Sequence, residues 1–312
     1  MTINETTEIF AGLPVVDYST DDGIKDPDNK AYRISVDYDD AEDGVKATEI
    51  LKAFLNDPEA GKIKALIIGS WEEAFDESCE NILKMLVDKN DCLGSLKALF
   101  VGDMTYEECE ISWITQGDYK GIINAFPKLE ELRVRGSNDL RLNGLNHKML
   151  KKLVIECGGL PSEVIGDVIA GSLPELEHLE LWLGTDNYGF GGSWDTIAPL
   201  LEIARFPNLN YLGLRDSEIA DDLAVNIAGH PILDQIDILD LSLGTLTDKG
   251  AQALLDNNSI EKLTKMDLHH HFLSDEMMTK LKNMSGDIDI SRQNEAEDYG
   301  DGDIYRYVAV SE

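Results

Sequence analysis

From Ile63 onward the chain returns eight times to one spacing: an apolar residue, two variable positions, a second apolar residue, one variable position, a third apolar residue. The segments begin at residues 63, 96, 129, 150, 176, 209, 236 and 263 and read IKALII, LKALFV, LEELRV, LKKLVI, LEHLEL, LNYLGL, IDILDL and LTKMDL. Alternate side chains of an extended segment face opposite sides, so each apolar–any–apolar ending predicts a strand with one buried and one displayed face. Columns such as Leu129, Leu132 and Val134 are therefore core.

Most strands are followed by a run at helical spacing: 76–87, 118–126, 161–171, 194–206, 220–229, 247–257 and 274–283. Ser162, Asp195, Thr247 and Ser274 are N-cap residue types, and Pro161 suits an early helical position. The intervals between repeats are 33, 33, 21, 26, 33, 27 and 27 residues, averaging about 29. That lies at the long edge of the leucine-rich-repeat range of roughly 20–29. The expected fold is an α/β leucine-rich-repeat solenoid, a horseshoe with parallel strands on the concave side and helices on the convex side, because helices are wider than strands. The 21-residue third repeat lacks room for a full helix.

One solenoid domain is expected over 1–312, with an N-terminal cap and degenerate repeat (1–62), about eight repeats (63–285) and a C-terminal cap (286–312). AYRISVDY (31–38) reads as the degenerate strand, with Ser35 in the column of Ile67, and VKATEILKAFLN (45–56) as its helix. IFAGLPVVDY (9–18) is expected to cover the open edge, DIDI (287–290) to continue the strand column, and IYRYVAV (304–310) to form a last strand.

Charge narrows the partners. With 60 acidic and 27 basic residues the net charge is −33. Such a field repels nucleic acid and anionic lipid and favours a basic protein or peptide. The start MTINETTEIF has no signal-peptide pattern, no apolar run reaches 18 residues, and Cys79, Cys92, Cys109 and Cys157 form no C-x-x-C pair. A reducing cytoplasm is the expected location.

The search for chemistry is negative. Phosphate-loop, dinucleotide, nucleophile-elbow and H-E-x-x-H motifs are absent. Adjacent His269, His270 and His271 point to alternating faces and cannot share one ion; His269 with Asp267 is a weak pair. No catalytic residue, cofactor or metal is expected, and the chain reads as a non-enzyme.

Binding is the better use. The residue between the second and third apolar positions reads Ser35, Ile67, Phe100, Arg133, Val154, Glu180, Gly213, Asp240, Asp267; two residues on it reads Asp37, Gly69, Gly102, Arg135, Glu156, Trp182, Arg215, Ser242, His269. The first third of this face is small and apolar, the last third acidic. Between them Arg133, Arg135, Glu156, Glu180, Trp182, Tyr211 and Arg215 are candidate partner-binding residues, since Trp, Tyr and Arg dominate interface energy. The arginines could equally pair with Glu156 and Glu180 as a ladder of little value. Inserts 102–117 and 184–195 lengthen two repeats on the strand-to-helix rim, where Tyr188 and Phe190 are the expected exposed candidates. Trp113 and Trp194 are expected to plug the core beneath those loops.

FAGLPVVDY (10–18), YRISVDYD (32–39), SWITQGDYKGIINAFPKLEELRVRGS (112–137), LPELEHLELWLGTDNYG (173–189) and RYVAVSE (306–312) resemble bacterial leucine-rich-repeat proteins of the ribonuclease-inhibitor type, within a poorly characterised cytoplasmic group. The resemblance runs nearly end to end and implies a solenoid without catalysis. The expected function is a protein- or peptide-binding scaffold using the strand face and rim loops; the alternative is an acidic decoy that blocks a basic, nucleic-acid-binding protein.

Overall fold

A computed structural model describes residues 3–257, 261–300 and 302–312. The chain groups into two compact units. One is built from the chain up to Glu156 together with Ala170–Glu175, the other from Cys157–Ile169 and Leu176–Ser311.

The N-terminal unit stacks parallel strands β2 (Leu13–Asp17), β3 (Ala31–Ile34), β4 (Ala65–Ile68), β5 (Ala98–Val101), β6 (Glu131–Arg135) and β7 (Lys152–Glu156), each beside the next. Helices α1 (Tyr38–Glu42) and α2 (Ala47–Leu55) follow β3, and α3 (Glu80–Asp88) and α4 (Lys120–Ala125) follow β4 and β5. Between β6 and β7, as the short interval requires, there is no helix; residues 136–151 are irregular, with turns at Asp139 and at 143–144 and bridges at Thr115–Asn138 and Asp118–Arg141.

Two features of this unit differ from expectation. Arg33, and not Ser35, stands in line with Ile67, because Ile34 pairs with Ile68 and Ser35 comes to rest against Gly69. A side chain on Gly69 would collide with that serine, which fixes the register. The second difference concerns the strand face. The N-terminal segment does extend the sheet through β2, but β1 (Ile9–Phe10) then folds back antiparallel to it. Phe10 drops onto the small column Ala31, Ala65, Ala98 and packs with Ile67 and Phe100, its ring 5.9 Å from that of Phe100. Leu13 and Val15 join this cluster. The first third of the strand face is thus apolar but covered. Burying such side chains contributes roughly 1.5–3 kcal/mol each, a sufficient reason for the segment to stay down.

The C-terminal unit stacks parallel strands β8 (His178–Gly184), β9 (Tyr211–Ser217), β10 (Ile238–Asp240), β11 (Lys265–Asp267) and β12 (Asp287–Asp289). Helix α5 (Ser162–Ala170) precedes β8, and helices α7 (Ala220–Ile227), α8 (Asp248–Leu255) and α9 (Asp275–Lys282) bury Leu223, Ala224, Ile227, Ala251, Leu254, Met277 and Leu281, the helical spacing read from the sequence. The caps interlock. Thr247 Oγ1 accepts from the Lys249 N–H and donates to Asp221; Ser274 Oγ accepts from the Met277 N–H and donates to Asp248. Each repeat therefore anchors the helix start of the next, at about 1 kcal/mol per cap.

The run 194–206 is not one helix. Ser193, not Asp195, caps α6 (Trp194–Ile197) in a reciprocal pair with Thr196, and Ala198–Leu201 tightens to a 3-10 turn at Pro199, which lacks an N–H to continue the ladder. At the far end only Ile304–Tyr305 is strand, paired with Glu297–Asp298. Val308, Ala309 and Val310 are buried instead as a strap, the Ala309 N–H donating to Leu243 O and the Val310 N–H to Asp216 Oδ1.

Candidate functional site

The sequence singled out residues that fall in both units. In the N-terminal unit, Arg133 and Arg135 leave the same face of β6, and Glu156 stands beside Arg135 on β7. Glu156 accepts from Arg133 Nε (2.7 Å) and Arg135 Nε (2.8 Å). Arg135 is 4% exposed and Glu156 2%. The hub is a residue the sequence reading missed, Asp103, fully buried just after β5. It takes Arg33 (3.2 Å) and Arg135 (3.4 Å) and accepts from the N–H and hydroxyl of Thr7. Arg133 lies over the Phe100 ring at 4.3 Å. Buried opposite charges with filled hydrogen bonds form a firm internal brace, and removing one partner strands the other. This brace fastens the N-terminal segment to the strand face.

In the C-terminal unit, Glu180 accepts from Trp182 Nε1 (2.8 Å) and Arg215 Nη1 (2.7 Å) and faces His178 Nε2 at 3.2 Å. His178 stacks on Tyr211 at 3.8 Å, Tyr211 donates to Asp240, and Arg215 lies 5.2 Å from the Trp182 ring centre. Burial alone would raise the Glu180 carboxyl, but His178, Arg215 and Trp182 outweigh it and hold it far below the usual range. Tyr211 is pushed up by burial and by the Glu180 and Asp240 charges. Trp182 is buried; Tyr211 and Arg215 are partly exposed.

The rim loops exchange roles. Phe190, expected outside, is 1% exposed: it turns under its glycine-rich loop, and a side chain at Gly192 would strike its ring. The loop can close this tightly because Gly159 and Gly184 let backbones touch; any Cβ on Gly184 would meet Gly158 O. Tyr188 is half-buried, and so is Trp194, whose ring meets His230 edge-on at 6.3 Å. Trp113, expected inside, is 54% exposed, and Phe75 and Tyr106 are 55% and 41% exposed. Phe75 and Trp113 are neighbours: Thr115 Oγ1 reaches both of their carbonyls, at 3.1 and 3.4 Å. Exposed Glu73, Asp76, Glu77, Glu107 and Glu110 surround them in sequence, and neither 71–79 nor 102–114 contains a lysine or arginine. Phe75 went unnoticed because nothing in EEAFDE marks a lone aromatic as exposed.

The four cysteines form no disulfide. Burial pushes the Cys79 thiol up to about 12 and the Cys109 thiol to about 11, so neither is a nucleophile near neutrality. No described helix is long and apolar enough to cross a membrane.

Parallel strands carrying periodic leucines inside, with helices between most of them, make an α/β parallel-strand repeat fold, compatible with a leucine-rich-repeat solenoid. A crystal structure of a Bacteroides fragilis protein, solved as a structural-genomics target, matches at a TM-score of 0.80 and 35% identity over 89% of this chain and 76% of that one; this chain belongs to the same family as that protein. An internalin from Listeria monocytogenes matches at a TM-score of 0.33 and 12% identity, over 78% of this chain and 57% of its own, a likeness too slight to carry an argument. No family model and no curated protein matches.

Proposed function

We propose that this protein is a non-catalytic scaffold that binds a protein or peptide segment in which a large apolar side chain is flanked by lysines or arginines. One observation carries the reading: Phe75, Tyr106 and Trp113 are exposed in two segments, 71–79 and 102–114, whose own charged residues are all acidic. Single exposed apolar residues are ordinary, but three exposed aromatics in segments of one sign of charge are what a partner of opposite charge covers. Within the same unit, partly exposed Arg133 is a secondary contact, and the Arg135–Glu156–Asp103 network beside it holds the strand face in place. The finer ribonuclease-inhibitor-type classification and a cytoplasmic location belong to the same proposal, supported by the strand-then-helix order within each unit and by the unpaired-disulfide state of all four cysteines.

A peptide-display selection on the full chain tests this. Enriched sequences carrying an aromatic or leucine between basic residues support it; no enrichment, or enrichment of acidic or uncharged sequences, rejects it. The net charge of −33 favours a second reading, an acidic decoy for a basic nucleic-acid-binding protein. That complex would rest on charge alone and disappear by about 0.5 M salt, whereas a contact seated on Trp113 would persist, since salt screens exposed charges and not apolar burial.

A further inference from the structure

We propose that Asp267, His269 and Asp289 form a binding site for one divalent transition-metal ion of the zinc class. Asp267 on β11 and Asp289 on β12 are directly registered partners of adjacent parallel strands. His269 lies two residues beyond Asp267, so all three side chains leave the same side of the sheet. One ligand atom from each, an imidazole nitrogen and two carboxylate oxygens, lies within 4.8 Å of the other two. A tetrahedral or octahedral ion with bonds of about 2.0–2.2 Å needs ligand atoms some 3–4 Å apart, which small side-chain rotations supply.

The surroundings orient these groups for an ion. Lys265 Nζ holds Asp267 Oδ2 at 2.9 Å, while Oδ1 accepts from the His269 N–H at 3.1 Å and meets His269 Nδ1 at 2.7 Å. Asp289 Oδ1 is set by the Ser291 N–H at 2.9 Å. Asp240, Asp267 and Asp289 stand in consecutive positions of one column, roughly 4.8 Å apart across parallel strands. Like charges so placed repel. Arg215 lies 3.3 Å from Asp240 and Lys265 answers Asp267, while Asp289 meets no lysine or arginine among the ion pairs of the described residues. A dication between Asp267 and Asp289 would cancel that charge.

The donor set selects the ion. Calcium takes six to eight oxygen ligands, and magnesium rarely recruits imidazole. One nitrogen and two carboxylates suit zinc, manganese or cobalt, with the remaining positions left to water or a ligand group. The ion would tie the last two parallel strands of the unit together, where the sheet otherwise ends.

Isothermal titration of the chelator-treated full chain with Zn²⁺ tests the site, alongside His269→Gln and Asp289→Asn. Gln can keep a hydrogen bond to Asp267, and Asp289 sits on a half-exposed terminal strand, so both variants should melt at the metal-free wild-type temperature. The expected result is one Zn²⁺ per wild-type chain, a rise in melting temperature with excess Zn²⁺, and at least tenfold weaker binding in each variant. Co²⁺ should give weak visible bands typical of nitrogen and oxygen ligation, lost in His269→Gln. Absence of one-to-one binding, or wild-type affinity in either variant, would overturn the proposal; intense thiolate-type Co²⁺ bands would place the ion on a cysteine and overturn it as well.

Discussion

The two units build their strand faces from the same repeat and finish them in opposite ways. In the N-terminal unit, Ile67 and Phe100 lie fully buried under Phe10, and the arginines beside them are locked to Asp103 and Glu156. In the C-terminal unit, the corresponding column runs Glu180, Gly213, Asp240, Asp267, Asp289, and His269 and Asp289 stay partly open. The leucines are alike in both. The difference comes from the residues between them and from the segment that covers them: small alanines admit a phenylalanine, whereas a file of carboxylates admits water or a cation. A leucine-rich period therefore predicts a displayed face without predicting that it stays displayed.

The strongest way to break this comparison is Phe10→Ala. It should cost the N-terminal unit about 3–5 kcal/mol in urea unfolding, the range for emptying a packed aromatic site. A loss below 1 kcal/mol would mean that the face is not closed by this residue. Next comes Arg135→Ala, which leaves Asp103 and Glu156 buried with less countercharge; about 3 kcal/mol is expected, with Arg135→Lys recovering only part because a single ammonium cannot span both carboxylates.

Two carboxyls of the C-terminal unit sharpen the contrast through pH. Burial drives Asp216 well above its ordinary value, although the Val310 N–H opposes this, and its Oδ2 has no partner among the described atoms. A raised folded pKa adds stability below the unfolded value of about 3.9, and that advantage is lost as pH rises through the folded value. Asp216→Asn keeps the acceptor for Val310 and suits the left-handed backbone there, φ 53°. It should raise stability at pH 8 by roughly 1–2 kcal/mol and leave it unchanged near pH 3. Glu180 runs the other way: its depressed folded pKa adds stability above about pH 4.3 that is lost as pH falls toward the folded value. Glu180→Gln should therefore flatten the acid limb of a chemical-denaturation series measured between pH 5 and pH 2. The smallest stability effect is at Trp113, where alanine should change unfolding by no more than about 0.5 kcal/mol.

What the sequence made legible were quantities with a period. The strand columns, the missing helix of the third repeat and the caps at Thr247 and Ser274 all follow from local spacing. What it hid depends on residues far apart. Thr7 reaches Asp103 across 96 positions, and no pattern near either predicts it. The register of β3 lies two residues from the one its periodicity predicts, because both Ile34 and Val36 fit the apolar phase; Gly69 decides between them only once β4 lies alongside. Phe190 and Trp113 traded places because a loop's aromatic is buried or exposed by the course of its backbone, set here by Gly159 and Gly184 in one loop and by Thr115 in the other. Left-handed residues recur three positions beyond the aligned column residues Gly213, Asp240, Asp267 and Asp289, at Asp216, Leu243, His270 and Arg292, a second repeat mark invisible in sequence because none is glycine.

The most direct test is the affinity of a display-selected basic peptide for the wild-type chain and for Trp113→Ala, measured by titration calorimetry at physiological salt. Binding weakened by about tenfold or more in a variant that melts with the wild type is the predicted result. Equal affinity for the two chains would contradict it and remove the aromatic rim from the function.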